Sequence, residues 1–404
     1  MKKSVLLPVF LVVFVDLLSF SLILPLMPYI AANYGLNPFF VGLLLATYPI
    51  GQVFGTPVLG RLSDRFGRKP ILLISVAGTF LALISLGLIL LFNPSGAIIM
   101  IFATRLFDGL TGGNITVAQS YISDVTTPEN RAKGLGMIGA AFGLGFIFGP
   151  AIGGFMSQWG YQVPALFAAG LSFMNLVLIT LILPESLSAE TREKLRHSEK
   201  TAFSLKILKN ALDKPVVGPL LHSRVYYSIA HGVFQTIFAL YAQQRLNLNA
   251  AQTGLVLGYV GILVVLVQVG AIGKLTKKYT ESQLMRSSSL VLAISYILWA
   301  VVPNLISLMI VLIPIAAASG ILNTVLRSAL TKAVAKEEIG GILGLSSSLE
   351  SMTSIITPVL GGFLIASIGT WAPGLFSALV TTSLLWFISR KITESKDQPV
   401  SKEA

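Results

Sequence analysis

The chain has 404 residues, of which 54% are hydrophobic and only 11% charged, against roughly 25% charged residues in ordinary soluble domains. With a mean hydropathy of +0.80, it has too few charges to cover a water-facing surface. The net charge of +12 would serve a nucleic-acid partner only as a solvent-accessible stripe, and here the basic residues fall between apolar segments, so no such partner is expected.

Apolar runs such as Ile71–Phe92 match a hydrocarbon core of about 30 Å crossed at roughly 1.5 Å per residue. Met1, Lys2 and Lys3 could open a signal peptide, but the apolar stretch behind them passes Asp16 and ends near Ala31. That is too long for a cleaved segment, and it reads as a first span. Turn residues and charges then bound spans near 5–31, 40–62, 70–93, 97–124, 131–158, 162–183, 216–243, 251–274, 285–303, 306–334, 340–367 and 371–390. The expected fold is an all-α integral membrane protein with twelve transmembrane helices in two pseudo-symmetric six-helix bundles. The bundles are residues 1–183 and 216–391, with a cytoplasmic linker at 184–215 and a cytoplasmic tail at 392–404.

With both termini in the cytoplasm of a multi-pass cell-membrane protein, the basic residues sort to one side. Lys2, Lys3, Arg61 to Lys69, Arg131, Lys133, the 192–214 segment, Lys274 to Arg286, Arg327 to Lys336 and the tail lie there, and only Arg245 lies opposite, while Arg105 falls inside a span and Arg224 near the cytoplasmic start of another, as the positive-inside rule expects. Within the linker, Leu205, Ile207, Leu208 and Leu212 alternate with Lys206, Lys209 and Lys214. This pattern suits either a short amphipathic helix on anionic lipid or a plain solvated connector.

A shift of about 210 residues superimposes the halves. Leu36-Asn37 with Gly42-Leu43 recurs as Leu248-Asn249 with Gly254-Leu255, and Gly60-Arg61-Leu62 as Gly273-Lys274-Leu275. Pro150 with Gly153-Gly154-Phe155 recurs as Pro358 with Gly361-Gly362-Phe363. Ordered matches at a nearly constant shift indicate a duplicated six-helix unit, and duplicated transporters bind substrate between repeats and expose it alternately to each side.

Residues that carry chemistry stand out against this apolar background. Asp16 in the first span is a carboxylate that hydrocarbon tolerates only for a function. The loop after the second span holds Gly60, Asp64, Arg65, Gly67, Arg68 and Lys69, where glycines permit a tight turn and Asp64 can face a helix terminus. In the fourth span, Arg105 keeps its proton and needs water or a partner, which Asp108 three residues on can supply locally. The fifth span spaces Gly145, Gly149, Pro150, Gly153 and Gly154 as a close-packing, bendable face. Glu350 is an intramembrane carboxylate in the eleventh span. His231 and Gln235 share a face of the seventh, and Asn114, Gln119 and Asn323 add polar groups on spans four and ten. Each of these is a candidate cavity residue, and each is also readable as a packed, hydrogen-bonded side chain. No cysteine is present and the three histidines are scattered, so no metal is expected. No phosphate-binding loop is present either, so no cofactor and no enzymatic activity are expected, and energy would come from an ion gradient.

The loop Gly60-Arg61-Leu62-Ser63-Asp64-Arg65-Phe66-Gly67-Arg68-Lys69 resembles the signature of the major facilitator superfamily. That resemblance implies that Asp64 and Arg65 join a cytoplasmic latch with Asp124 at the end of span four and with span eleven. The second-half copy has Lys277 and Thr280 in place of Asp64 and Gly67, which puts an equivalent latch there in doubt. The Gly145 to Gly154 run is similar to the family's antiporter motif, and Arg105 to Asn114 to its buried-arginine motif. The first half most resembles the drug:proton antiporters, tetracycline-efflux-like members in particular, through Ser63 to Pro70 and Gly139 to Gly145.

The resemblance implies a monomeric, lipid-embedded transporter exchanging protons for small amphipathic substrates, with Asp16, Arg105, Asp108 and Glu350 as coupling candidates. The alternatives are a proton-coupled symporter or facilitator of a sugar, metabolite or lipid headgroup, or a transporter-like sensor.

Overall fold

The computed structural model describes residues 3–188, 190, 192–193, 205–335 and 338–392. All regular structure among them is helical. The first span is α1 (Lys3–Ile23), a 3-10 turn (Leu24–Leu26) and α2 (Met27–Asn33). Pro25 and Pro28, which offer no N–H to the helix ladder, sit where α1 gives way to the turn and the turn to α2. Next, α3 (Pro38–Phe66) starts on Asn37, whose Oδ1 accepts from the Phe40 N–H at 3.1 Å, with proline in the first turn. It stops at Gly67, whose φ of 111° favours glycine, and α4 (Arg68–Phe92) follows at once.

The fourth span is two pieces, α5 (Ala97–Thr111) and α6 (Asn114–Val125), separated by Gly112 and Gly113. Then come α7 (Pro128–Met156) and α8 (Gln162–Ile182). A short α9 (Leu205–Leu212) precedes α10 (Val217–Leu246) and α11 (Ala250–Leu266), which runs through a π-turn (Val267–Ala271) into α12 (Ile272–Lys278). The last four helices are α13 (Glu281–Ala300), α14 (Leu305–Lys332), α15 (Ile339–Ser367) and α16 (Ala372–Lys391). Thr280 and Asn304 build capping boxes at α13 and α14.

Among the described residues, nine helical segments are long and apolar enough to cross a membrane by length and composition. The remaining three predicted spans are also helical. Residues 97–125 are split by the Gly112-Gly113 break, α10 carries Tyr226, Tyr227, His231 and Gln235 between its two arginines, and α13 carries Arg286, and each feature makes the span less apolar. The backbone of α9 stands where the sequence suggested an amphipathic helix. The side chains of residues 205–208, those of Arg131 and Lys133, and most of the linker and tail lie outside the described residues.

The chain divides into two compact units, Met1–Lys200 with Asn247–Gly261, and Thr201–Leu246 with Ile262–Ala404. In the first, α7 and α8 pack on α1, α8 and α5 on α4, and α5 on α3. Its core includes Leu17, Val76, Tyr121 and Ile179. The 247–261 segment belongs here because its glycines meet α7. A Cβ on Gly254 would come within 3.1 Å of Gly154 Cα, and one on Gly258 within 3.2 Å of the Ile147 carbonyl oxygen. Tyr29 on α2 donates to the Leu248 carbonyl at 3.0 Å and exchanges a 2.5 Å hydrogen bond with Thr253.

In the second unit, α13 packs on α14 and α16, and α10 on α15 and α16, around the fully buried Trp299, Tyr241, Tyr296 and Phe238. Tyr241 donates to the Trp299 carbonyl at 2.7 Å. Across both units the outward faces carry Phe92, Ile99, Leu181, Val269, Ile306 and Leu379, as lipid contact requires of helices that cross a membrane.

The α3–α5 contact is a backbone-to-backbone approach. A Cβ on Gly51 would stand 2.5 Å from the Leu106 carbonyl oxygen and 2.8 Å from the Leu110 nitrogen, and one on Gly109 would stand 3.0 Å from Gly51 Cα. Gly51→Leu is therefore expected to destabilise the first unit by about 2 kcal/mol or more, since overpacking against backbone has no soft neighbour to move. Thermal unfolding of the purified protein in micelles reads this out, and an unchanged midpoint would show that α3 and α5 tolerate separation.

Candidate functional site

The break in span four positions the first polar cluster. Glycines at 112 and 113 interrupt the helix, and the freed carbonyls find side-chain donors: Ser75 Oγ donates to Thr111, and Gln52 Nε2 to Gly112 at 3.2 Å. Asn114 opens α6 at this break. Its Oδ1 accepts from the Ile115 N–H at 2.9 Å, leaving Nδ2 to donate to Asp16 Oδ2 at 2.5 Å. Asp16 is 7% exposed, and its Oδ1 has no hydrogen-bond partner among the described residues.

Two turns before the break, Arg105 Nη1 pairs with Asp108 Oδ2 at 3.1 Å, with both side chains buried. The Nε and Nη2 of Arg105 have no partner among the described residues. Asp16 borders one small cavity with Asn114, Val76 and Ala118, and Arg105 borders another with Tyr48, Phe20 and Leu44. The structure thus gathers Asp16, Asn114, Arg105 and Asp108 in one region of the first unit, with Asp16 held by Asn114 and Arg105 held by Asp108.

At the α3–α4 turn the hub is Arg68. Its Nη1 binds Asp64 Oδ1 at 2.7 Å and Ser63 Oγ at 2.7 Å, and its Nε binds Asp124 Oδ2 at 2.9 Å. Asp124 also accepts from Ser186 Oγ at 3.0 Å. Arg65 instead lies over the Phe66 ring at 5.3 Å. Gly60 has open space around it, whereas a Cβ on Gly67 would press on Glu185 Oε2 at 2.5 Å. Sequence reasoning missed Glu185. Its carboxylate accepts the Arg68 and Lys69 backbone N–H groups at 2.9 and 3.1 Å, at the positive end of α4. The available signal was an acid beside Pro184, directly after span six.

The α7 glycines face two ways. Gly145, Gly149 and Gly153 line a groove for α1, where Ser21 Oγ donates to the Gly145 carbonyl at 2.7 Å and a Gly149 Cβ would lie 2.9 Å from the Leu22 nitrogen. Gly154 faces α11, where a Cβ would stand 2.6 Å from the Ala250 carbonyl oxygen. Pro150 lies inside α7, and its carbonyl faces Gly254.

In the second unit Glu350 and Asn323 come together through Arg224, which the sequence had marked only as a basic residue near the cytoplasmic end of a span. Arg224 reaches Glu350 Oε1 from Nε at 2.8 Å and from Nη2 at 2.6 Å, and Asn323 Oδ1 from Nη1 at 2.5 Å. His231 Nδ1 lies 3.1 Å from the Tyr296 hydroxyl, and its ring stacks on Tyr227 at 5.3 Å. Gln235 is exposed one turn further along α10, and Gln119 is exposed on α6.

The sequence matches the family described as Major Facilitator Superfamily over residues 9–281 and 225–404. It is 31% identical over 383 residues to solute carrier family 22 member 18 of Rattus norvegicus, covering 94% of this chain and 91% of that one. It is also 31% identical over 411 residues to the class H tetracycline resistance protein of Pasteurella multocida, covering 97% and 98%. The solved D-xylose-proton symporter shares the fold, with a TM-score of 0.77 at 16% identity over 98% of this chain and 99% of that one.

Glu185→Ala removes four accepted backbone hydrogen bonds, two of them from the first turn of α4 and two from Ser186 and Leu187, and a charge at a helix N-terminus, a loss of about 1–2 kcal/mol. Thermal unfolding in micelles should show a lowered midpoint for Glu185→Ala and a smaller drop for Glu185→Gln, which keeps an acceptor. Equal midpoints for all three proteins would mean water serves the α4 terminus as well.

Proposed function

Because the chain belongs to the Major Facilitator Superfamily, we propose that this transporter exports small amphipathic compounds in exchange for protons, by alternating access. It works as a monomer in the cell membrane, with both termini in the cytoplasm. The observation that carries this reading is Asp16, a carboxylate inside the first span whose Oδ2 is held by Asn114 and whose Oδ1 has no partner among the described residues. A coupling carboxylate must take a proton on one side and give it up on the other, so its surroundings must change with conformation. The break between α5 and α6 supports such a change. It places Asn114, the group that steadies Asp16, on a short helix end, and keeps Arg105 two turns away on α5, paired with Asp108. Asp108 therefore acts as the holder of Arg105 and Asp16 as the carrier. Export is favoured over uptake by the likeness to a tetracycline resistance protein across nearly the whole chain.

Two outcomes follow. In vesicles with an imposed pH gradient, Asp16→Asn is expected to lose uphill transport while keeping downhill exchange, and Arg105→Ala to lose both. If Asp16→Asn concentrates substrate as well as the parent protein, the coupling role passes to Glu350. A panel scored by direction of flux separates export from symport or facilitated uptake of a sugar, metabolite or lipid headgroup.

The Asp64–Arg68–Asp124 arrangement ties the ends of α3, α4 and α6 together, and we assign it the role of biasing the transport cycle. Asp64→Asn should slow flux several-fold, with insertion and expression unchanged. Full flux at normal expression would remove that role.

A further inference from the structure

We propose that the second unit carries an anion-recognition site on Arg224, Arg327 and Glu350, and that the exported compounds are therefore amphipathic organic anions, aromatic carboxylates foremost. This rests on the export reading above and adds the charge class of the substrate. Glu350 is shared by two guanidiniums. Arg224 occupies Oε1 at 2.6 Å, and Arg327 on α14 approaches Oε2 at 3.7 Å. Among the described residues, one carboxylate facing two cations leaves one positive charge uncompensated. The acid of α13, Glu281, is already taken by Lys332 at 2.8 Å and by Ser328 at 2.8 Å.

Exposure decides which cation is available. The Arg224 side chain is 3% exposed and fully bonded to Glu350 and Asn323, whereas that of Arg327 is 58% exposed. Arg224 and Asn323 are thus positioning residues that fix Glu350, and Arg327 is the group that meets ligand.

The surroundings read as a water-lined face. Ser347, Glu350, Ser351 and Ser354 recur at helical spacing on α15, with Ser347 and Ser351 exposed, and ionisable groups at membrane depth face such paths or one another. Beside it stands an aromatic wall, with Tyr227 buried, His231 half-buried and Gln235 exposed. On α10, Arg224, Tyr227, His231 and Gln235 form one stripe about 16 Å long. The Arg224 guanidinium lies 5.5 Å from the Tyr227 ring centre, and the Tyr227 ring stacks on His231. His231 Nδ1 faces Tyr296, which fixes the imidazole plane. A ligand with a carboxylate at Arg327 would lay an aromatic body along His231 towards Gln235.

The test uses a matched series on the purified full chain, namely naphthoate, its uncharged amide and naphthylmethylammonium, with equilibrium binding measured without any proton gradient. Naphthoate is expected to bind about tenfold more tightly than the amide, a difference of about 1.4 kcal/mol, and the ammonium most weakly. Arg327→Gln should erase the naphthoate preference, Arg327→Lys should retain part of it, and added salt should weaken it, because the cation is exposed. Glu350→Gln should tighten naphthoate binding.

No preference for naphthoate over the amide, a preference for the ammonium, or unchanged naphthoate binding in Arg327→Gln would each overturn the assignment. So would displacement of naphthoate by a short-chain phosphatidylglycerol at far lower concentration, which would make the site one for lipid phosphate. Because binding is read at equilibrium, naphthoate recognition without pH-driven flux would sink the export reading and leave this site standing. PH-driven flux of amines with no anion preference would do the reverse.

Discussion

A guanidinium does not give up its proton, so an arginine placed among membrane-spanning helices must bring its counter-charge with it. Arg68, Arg105 and Arg224 each do so, pairing with Asp64 and Asp124, with Asp108, and with Glu350. Breaking such a pair leaves a buried charge uncompensated, which costs far more than the pair itself contributes. The partners therefore act as fixed points, and the helices that carry them are held in register around them. Asp16 is the exception that makes the arrangement informative, since its partner is a neutral amide and, among the described residues, no arginine is bonded to it.

The polar groups can be positioned only because the helices come close enough to place them. Gly51 and Gly109 bring α3 and α5 into backbone contact, and Gly145, Gly149 and Gly153 do the same for α7 and α1. Between lipid-exposed helices there is no hydrophobic driving force to spend, so dispersion and hydrogen bonding at short range must hold them together. Ser21 shows the economy of this interface, because its hydroxyl donates to Gly145 in the groove that the missing side chains leave open.

The two halves retain a shared backbone grammar and differ in charge. Proline and paired glycines recur in α7 and α15, but Asp64 corresponds to Lys277 at the repeat shift. The second unit instead concentrates its ionisable groups on Arg224, Arg327 and Glu350, and stacks its aromatic residues on α10 and α13. A duplicated scaffold free to specialise each copy can place proton handling in one and ligand chemistry in the other, which is the division of labour proposed here.

The sequence by itself determined the helical membrane class, since composition and the length of apolar runs leave no other way to satisfy the backbone in hydrocarbon. It also singled out candidate groups, because a carboxylate such as Asp16 or a spaced glycine run is conspicuous against leucine and valine. What it could not reveal was partnership. That Arg68 rather than Arg65 joins Asp64 to Asp124, that Glu185 terminates α4 from a distance of 117 residues, and that Arg224 binds Glu350 across 126 residues depend on contacts between helices far apart in the chain. The tertiary structure alone decided them, because helical periodicity fixes which face a residue occupies but not which neighbouring helix that face meets.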